Sequence, residues 1–358
     1  MAAAYRVCLL ATLALLAACN AGATLTPPAL PAARPAAPVQ HLYVMSYVYE
    51  QGIYVYSLGN PLNPSLQYVI HPPYAPFAMA VDDKGTLYAL LRNVQTNPAT
   101  QLVYVYPAGS TKASAHFADC NPSTIAYFGG SIYAAHDANG NCKAGIDVFA
   151  EGSTKPNTRI TQGLGGANLL RIDRFGNVYV YDDTTDSFVE FPKGQTKPSR
   201  SLNVGIAADL ASDSHANVFV SLLNAVCGGS QKNSIDRYAP GSAVADKSIT
   251  NGICNPNAMT EDSNDTLYVV NQKDFQTWNV VEYSSGTIFP RRTITKGIGQ
   301  PDAAPGALAV DSRDDLFVAN SMSKSGAYGS IEIYKPGSST PAKSIASVGD
   351  PGPILIGP

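Results

Sequence analysis

The chain has 358 residues, and its 24 Lys and Arg against 27 Asp and Glu leave a net charge of −3. No basic surplus marks a nucleic-acid binder, and a hydrophobic share of 45% is too high for global disorder. Charged residues are only 14%, against about 25% in an average soluble domain, while 30 Gly, 26 Pro and 20 Tyr favour short strands and tight turns over a helix-rich enzyme.

Residues 1–18 read as an export signal. Arg6 gives a short positive start, and the run from Val7 to Leu16 is apolar. That run is too short to span a bilayer, which takes about 20 residues. Leu16-Ala17-Ala18-Cys19 resembles the lipobox of bacterial lipoproteins. The resemblance implies that Cys19 is acylated and becomes the first residue of the mature chain. Asn20, not Asp, follows it, which in that family permits sorting to the outer membrane of a Gram-negative host. The expected location is therefore the bacterial cell envelope, on its periplasmic or surface face. Residues 19–41 carry Pro27, Pro28, Pro31, Pro35 and Pro38 among alanines. Proline neither donates to a ladder nor continues a helix, so this stretch reads as an extended tether.

From residue 42 to 358 the chain repeats. An apolar cluster around one aromatic recurs at Tyr43, Tyr88, Tyr133, Tyr179, Phe219, Tyr268 and Phe317. The mean spacing is about 46 residues, the range of a four-stranded propeller blade. Before the aromatic strand comes a small apolar strand ending in an acid, as in Ala78–Asp82, Leu170–Asp173 and Ala307–Asp311. A tight turn joins the two, with Asp at its start and Gly85 or Gly176 at its end. A third strand ends in an aromatic, for example Val103–Tyr106 or Ile331–Tyr334. The fourth is polar, as in Lys197–Leu202 and Lys343–Ile345. Small residues suit a crowded axis and polar ones a solvent rim, which is the radial order of a blade.

The first unit lacks its inner strand, and residues 352–356 (Gly-Pro-Ile-Leu-Ile) are left over at the far end. Pairing them removes the exposed sheet edges of an open array. The expected fold is all-β: a seven-bladed β-propeller closed by the C-terminal strand pairing with the first blade. Six blades follow only if one unit is irregular, the fifth being the least regular. The pattern Pro-x-Ala-Leu-Ala-Val-Asp, an Asp/Gly turn, Leu-Phe/Tyr-Val, Ile-x-Val/Ile-Tyr and Pro-Gly-Ser resembles NHL-type propellers and the related streptogramin-lyase-like bacterial propellers. That resemblance implies the fold; the paired histidines of the lyases have no counterpart here.

With Cys8 lost in the signal and Cys19 lipidated, Cys120, Cys142, Cys227 and Cys254 remain, an even number in an oxidising compartment. The repeat places Cys120 in the loop leading into the third blade and Cys142 in that blade's loop between strands two and three. Cys227 lies in the matching loop of the fifth blade and Cys254 in the loop leading into the sixth. The expected disulfides are Cys120–Cys142 and Cys227–Cys254. No Cys-x-x-Cys or His pair supports a zinc site.

Residues just after the second strands should ring one mouth of the axial channel: Ser46 and Tyr47, Arg92 and Asn93, His136 and Asp137, Asp182 and Asp183, Asn224, Asn271 and Gln272, Asn320 and Ser321. Of these, Asn93, His136, Asp137, Asp182, Asn271 and Asn320 are the candidate ligand-binding set. Asp137, Asp182, Asn271 and Asn320 could coordinate a hard cation such as Ca²⁺ or Mg²⁺, and His136 could act as a general acid or base. The alternative is that polar strand ends simply meet water and cap backbone. The five histidines do not cluster, and no nucleophile elbow, His-Glu-x-x-His or phosphate loop is present. The expected function is a non-catalytic binding or scaffold module, held to a membrane by its lipid and recognising a protein, glycan or envelope component, with no nucleic acid and no required cofactor. The competing reading is a metal-dependent hydrolase or lyase using the polar ring.

Overall fold

The computed structural model describes residues 39–358, apart from 48–50, 61–62, 97–98, 118–119, 224–226, 228–232, 274–276, 300–302, 324–325 and 327. The export signal, Cys19, the tether through Pro38 and Asn224 lie outside the described residues. The propeller unit spans Val39–Pro358. Among the described residues 28 strands form seven four-stranded antiparallel sheets, and no helix occurs.

The first strands of the blades are Pro351–Gly357 in blade 1, then Ala75–Val81, Thr124–Phe128, Leu169–Ile172, Ala207–Ser212, Asn255–Glu261 and Pro305–Val310. Each neighbours the next round a closed circle, so they line the axis. From them each sheet runs outward through the aromatic strand to a short outer strand. Blade 5, despite its irregular sequence, has all four strands in this order. Pro76, Pro256 and Pro305 sit where the register between strands one and two shifts. A bulge is where a residue without an N–H does least damage to the ladder.

Seven apolar clusters fill the seven spaces between blades. The second strands are covered on both faces; Val178–Asp182, Val218–Leu222 and Leu316–Asn320 are buried along their whole length. That is why they read as continuous apolar runs and not as alternating ones. The outer strands are polar but not uniformly so. Phe117, Ile160, Leu202, Ile249 and Ile294 each turn one apolar side chain inward and are buried.

Closure joins the two ends of the unit. Residues 351–357 pair antiparallel with His41–Ser46, with Val44 opposite Ile354 and Tyr43 opposite Leu355. The Tyr43 hydroxyl donates to the Pro358 carbonyl at 3.3 Å. Ile354 and Leu42 then pack against Phe317 and Ile333 of blade 7. Two disulfides are present, Cys120–Cys142 and Cys227–Cys254, with Cα atoms 5.6 and 5.0 Å apart. Each pins the loop leading into a blade.

Ile354→Ala should lower stability by about 2–4 kcal/mol, the usual loss for a buried isoleucine. Ile345→Ala, on a half-exposed outer strand, should lower it by less than about 1.5 kcal/mol. Urea unfolding of both variants checks the contrast.

Candidate functional site

The ring has two mouths. One, the loop face, carries the loops between strands two and three and those leading into each blade. The other, the turn face, carries the tight turns between strands one and two.

On the loop face one register position recurs three residues after each blade aromatic: Ser46, Leu91, His136, Asp182, Leu222, Asn271 and Asn320. All seven are buried. Four of them, Ser46, Asp182, Asn271 and Asn320, grip the loop that leads into their own blade. Asp182 accepts from Gly165 N and Gly166 N at 2.9 Å each, and from Thr184 N and Oγ1 at 3.0 and 2.6 Å. Asn271 accepts from Cys254 N at 2.8 Å and donates to Gly252 O at 3.2 Å. Asn320 accepts from Gly299 N at 3.0 Å and donates to Gly297 O at 2.8 Å. Ser46 accepts from Asp350 N at 3.3 Å. These loops lack ladder partners, and side chains satisfy their backbone instead.

Of the other predicted ring residues, Asn93, Asp137 and Asp183 occupy different registers. Asp137 is exposed, and its carboxylate accepts from Ala167 N at 2.8 Å, tying blade 3 to the loop into blade 4. Asp183 accepts from Asn168 Nδ2 in the same loop at 2.9 Å. Asp137, Asp182 and Asp183 thus converge on residues 165–168, but as acceptors for that loop. The Asn93 side chain accepts from Gln95 N at 2.9 Å, within its own loop, and its carbonyl accepts from Thr96 Oγ1 at 3.1 Å. His136 is fully buried, with Nε2 3.6 Å from Asp147 Oδ2. Arg159 holds the other side of Asp147, Nε to Oδ1 at 2.5 Å. Burial pushes the Asp147 carboxyl up, but His136 and Arg159 outweigh it and hold it below the usual carboxylate range. Cys120, His136 and Asp147 bring donor atoms within 4.8 Å of one another. The Cys120 sulfur is bonded to Cys142, which leaves two donors where a metal centre uses three or four.

On the turn face the acid closing the first strand caps the turn. Asp82, Asp173, Asp213, Asp262 and Asp311 each accept, through Oδ1, from the amides two and four residues on. The turn closes in the left-handed region at Gly85, Gly176, Ala216, Asp265 and Asp314. Neighbouring turns are stitched together. Ser214 donates to Asp265 at 2.7 Å from N and 2.6 Å from Oγ, and Ser263 donates to Asp314 at 2.9 and 2.8 Å. Gln40 completes the series by accepting from Ser312 N at 2.9 Å.

A cavity of about 220 Å³ opens beside these turns, between the first strands of blades 4, 5 and 6. Arg171, Asp173, Arg174, Ser212, Thr260 and Glu261 line it. Arg171 is tied to Asp209, Nε to Oδ1 at 2.9 Å. Glu261 occupies the position just before the capping acid, where blades 2, 4 and 7 have Val81, Ile172 and Val310. Both of its carboxylate oxygens are buried without a hydrogen-bond partner. Burial, then the Asp213, Asp265 and Asp262 carboxylates, push it up to about 8 against the pull of Arg174. A carboxyl so displaced beside a cavity is a candidate for a functional site. With the repeats aligned at their capping acids, Glu261 is an acid in a mostly apolar column, a signal that no catalytic motif carries.

No protein-family model matches the chain, and no curated protein does either. Among solved structures it is similar to the WD40 β-propeller domain of Doa1, at 10% identity and a TM-score of 0.56, over 84% of this chain and 90% of that one. It is also similar to AztD of Citrobacter koseri, at 11% identity and a TM-score of 0.56, over 89% and 97%. At this identity the likeness establishes the propeller fold.

Two outcomes follow from opposite pKa shifts. Asp182 is held below the ordinary carboxylate range, its burial outweighed by the bonds from Gly165, Thr184 and Gly166. Asp182→Ala should therefore cost about 2–3 kcal/mol at pH 7, and the gap should close as pH falls below about 4. Glu261 is shifted the other way, so its native state is fully favoured at low pH and loses ground as pH rises toward about 8. Glu261→Val should raise stability by about 1–3 kcal/mol at pH 8, with little gain at pH 4. Urea titrations across pH 3–8 check both.

Proposed function

We propose that the chain is a lipid-anchored propeller of the bacterial envelope, of the NHL and streptogramin-lyase-like type, that binds a protein or glycan partner without transforming it. Acylated Cys19 holds it to the membrane, and several acyl chains on one residue suffice for firm anchoring at about 0.8 kcal/mol per buried CH₂. The observation that carries the binding reading is the loop face. Its polar side chains are spent bracing the loops, which makes a stiff platform. On that platform Tyr47, Val94, Ile206 and Tyr328 are exposed, Val94 to 72% and Ile206 to 59%. Exposed apolar groups on a face whose loops are braced favour partner recognition. The function remains a property of that surface, because propellers serve many unrelated roles.

The anchor is tested by metabolic labelling with an alkynyl fatty acid. The wild-type chain should be labelled and sediment with membranes, whereas Cys19→Ser should be unlabelled and soluble. Partner binding is tested by in-cell cross-linking. Val94→Glu with Ile206→Glu should abolish the cross-linked species, while Val244→Glu with Phe289→Glu, on turns at the opposite face, should retain it. Equal loss in both double variants would remove the loop face from the account.

A further inference from the structure

We propose that Cys120, His136 and Asp147 form a zinc-binding site that the Cys120–Cys142 disulfide keeps closed and that reduction of this disulfide opens. The proposal does not depend on the partner-binding reading of the loop face.

Among the described residues one trio of metal-ligating side chains converges, with its donor atoms within 4.8 Å of one another. Strand register explains the meeting. His136 ends the second strand of blade 3 opposite Gly145, and Asp147 lies opposite Ala134 on the third, so both side chains stand on one face of the blade. Cys120 reaches that face from the loop leading into the blade.

The histidine is oriented as a ligand. Its Nδ1 stands 3.4 Å from the Asp137 carbonyl oxygen, which only accepts, so Nδ1 carries the hydrogen and the neutral ring keeps its lone pair on Nε2. Metal-bound histidines are fixed by the same kind of bond. Nε2 is buried without a hydrogen-bond partner and lies 3.6 Å from Asp147 Oδ2. A tetrahedral zinc ion about 2.0–2.1 Å from each would set such a nitrogen and oxygen about 3.4 Å apart. Arg159 keeps its bond to Oδ1 at 2.5 Å and holds the carboxylate from outside. Its second contact, Nη2 to Oδ2 at 3.2 Å, gives way to the ion; the Arg159 side chain is 40% exposed and has solvent to turn into.

The third donor is the sulfur. In the oxidised chain the Cys120 sulfur is bonded to Cys142 and is no thiolate ligand. A dithiol reductant opens the bond. It gives two electrons and two protons, Cys120 and Cys142 become thiols, and the reductant closes to its own disulfide. Both cysteines are partly exposed, whereas His136 and Asp147 are fully buried, so the bridge is the layer that an ion must pass. The loop keeps Cys120 in place without the bridge. Asn121 Oδ1 accepts from Gln101 N at 2.5 Å, and Ser123 N donates at 2.7 Å to Ala135 O, next to His136. Zinc then sends the Cys120 proton into the buffer, and a divalent ion meets one thiolate and one carboxylate. Thiolate, imidazole and carboxylate are zinc donors; Ca²⁺ takes about six or more oxygens.

The test titrates the full-length chain, without reductant, with Zn²⁺ by calorimetry and with Co²⁺ by absorbance. Wild type, Cys142→Ser, Cys120→Ser, and Cys142→Ser with His136→Ala are compared. The two single cysteine variants each leave one new thiol and the second disulfide intact. Cys142→Ser should bind one Zn²⁺ with a Kd of about 1 μM or tighter, release close to one proton at pH 7, and give thiolate-to-Co²⁺ charge-transfer absorption. Oxidised wild type and Cys120→Ser should bind at least about a hundredfold more weakly, and adding His136→Ala to Cys142→Ser should weaken binding at least about tenfold. If Cys142→Ser does not fold, a Cys227→Ser, Cys254→Ser double variant carries the comparison: it should take up Zn²⁺ after reduction with a phosphine and not before. The proposal is overturned if the opened chain takes up no Zn²⁺ by either route, if Cys120→Ser binds it as tightly as Cys142→Ser, or if His136→Ala leaves the affinity unchanged.

Discussion

An apolar sheet face is unstable in water, and a ring of blades leaves no such face open only if the last blade meets the first. That single constraint organises the propeller. Blade 1 borrows its innermost strand from residues 351–357, which pair with His41–Ser46 across nearly the whole unit. The paired strand also supplies Ile354 to the cluster between blades 7 and 1. Without it two first-strand neighbours, Ala75–Val81 and Pro305–Val310, would each face solvent where they now face a strand. The seven apolar clusters therefore depend on one long-range pairing as well as on their own side chains.

A closed ring leaves its loops with many unpaired backbone groups, and the chain deals with them by a repeated side-chain device at each face. On the loop face Asp182, Asn271, Asn320 and Ser46 satisfy the loop into their own blade. On the turn face the capping acids satisfy the turn, and serines of one turn reach the acids of the next. Residue types that suggest metal or acid–base chemistry are here occupied by amides of the chain itself. This bracing explains how a chain poor in charged pairs keeps both faces fixed. It also isolates Glu261, the buried carboxyl that the bracing leaves out.

Much of this was legible from the residues. The aromatic at each second strand, from Tyr43 to Phe317, repeats because it fills the space between blades, so the period reports the blade directly. The unassigned end at residues 352–356 declared itself because the first unit lacks an inner strand. The cysteine pairs followed once the loops were placed on one face. The loop-face residues were located, but their bonding was not, because hydrogen bonds to a loop amide depend on a loop conformation that strand periodicity does not encode. His136 was read as facing the mouth; its register instead buries it beside Asp147. Glu261 was hidden for a different reason. A single acid among Ala258-Met259-Thr260 looks like an ordinary strand end until its oxygens are seen to be buried.

The most direct measurement of the central claim is amide hydrogen exchange on the full-length chain, resolved at Ile354, Leu355, Ile356 and Gly357. If the ends of the chain seal the ring, these amides exchange as slowly as those of His41–Ser46, and both segments open together as denaturant rises. Exchange of residues 354–357 at the rate of an unstructured tail, with His41–Ser46 still protected, would contradict the account.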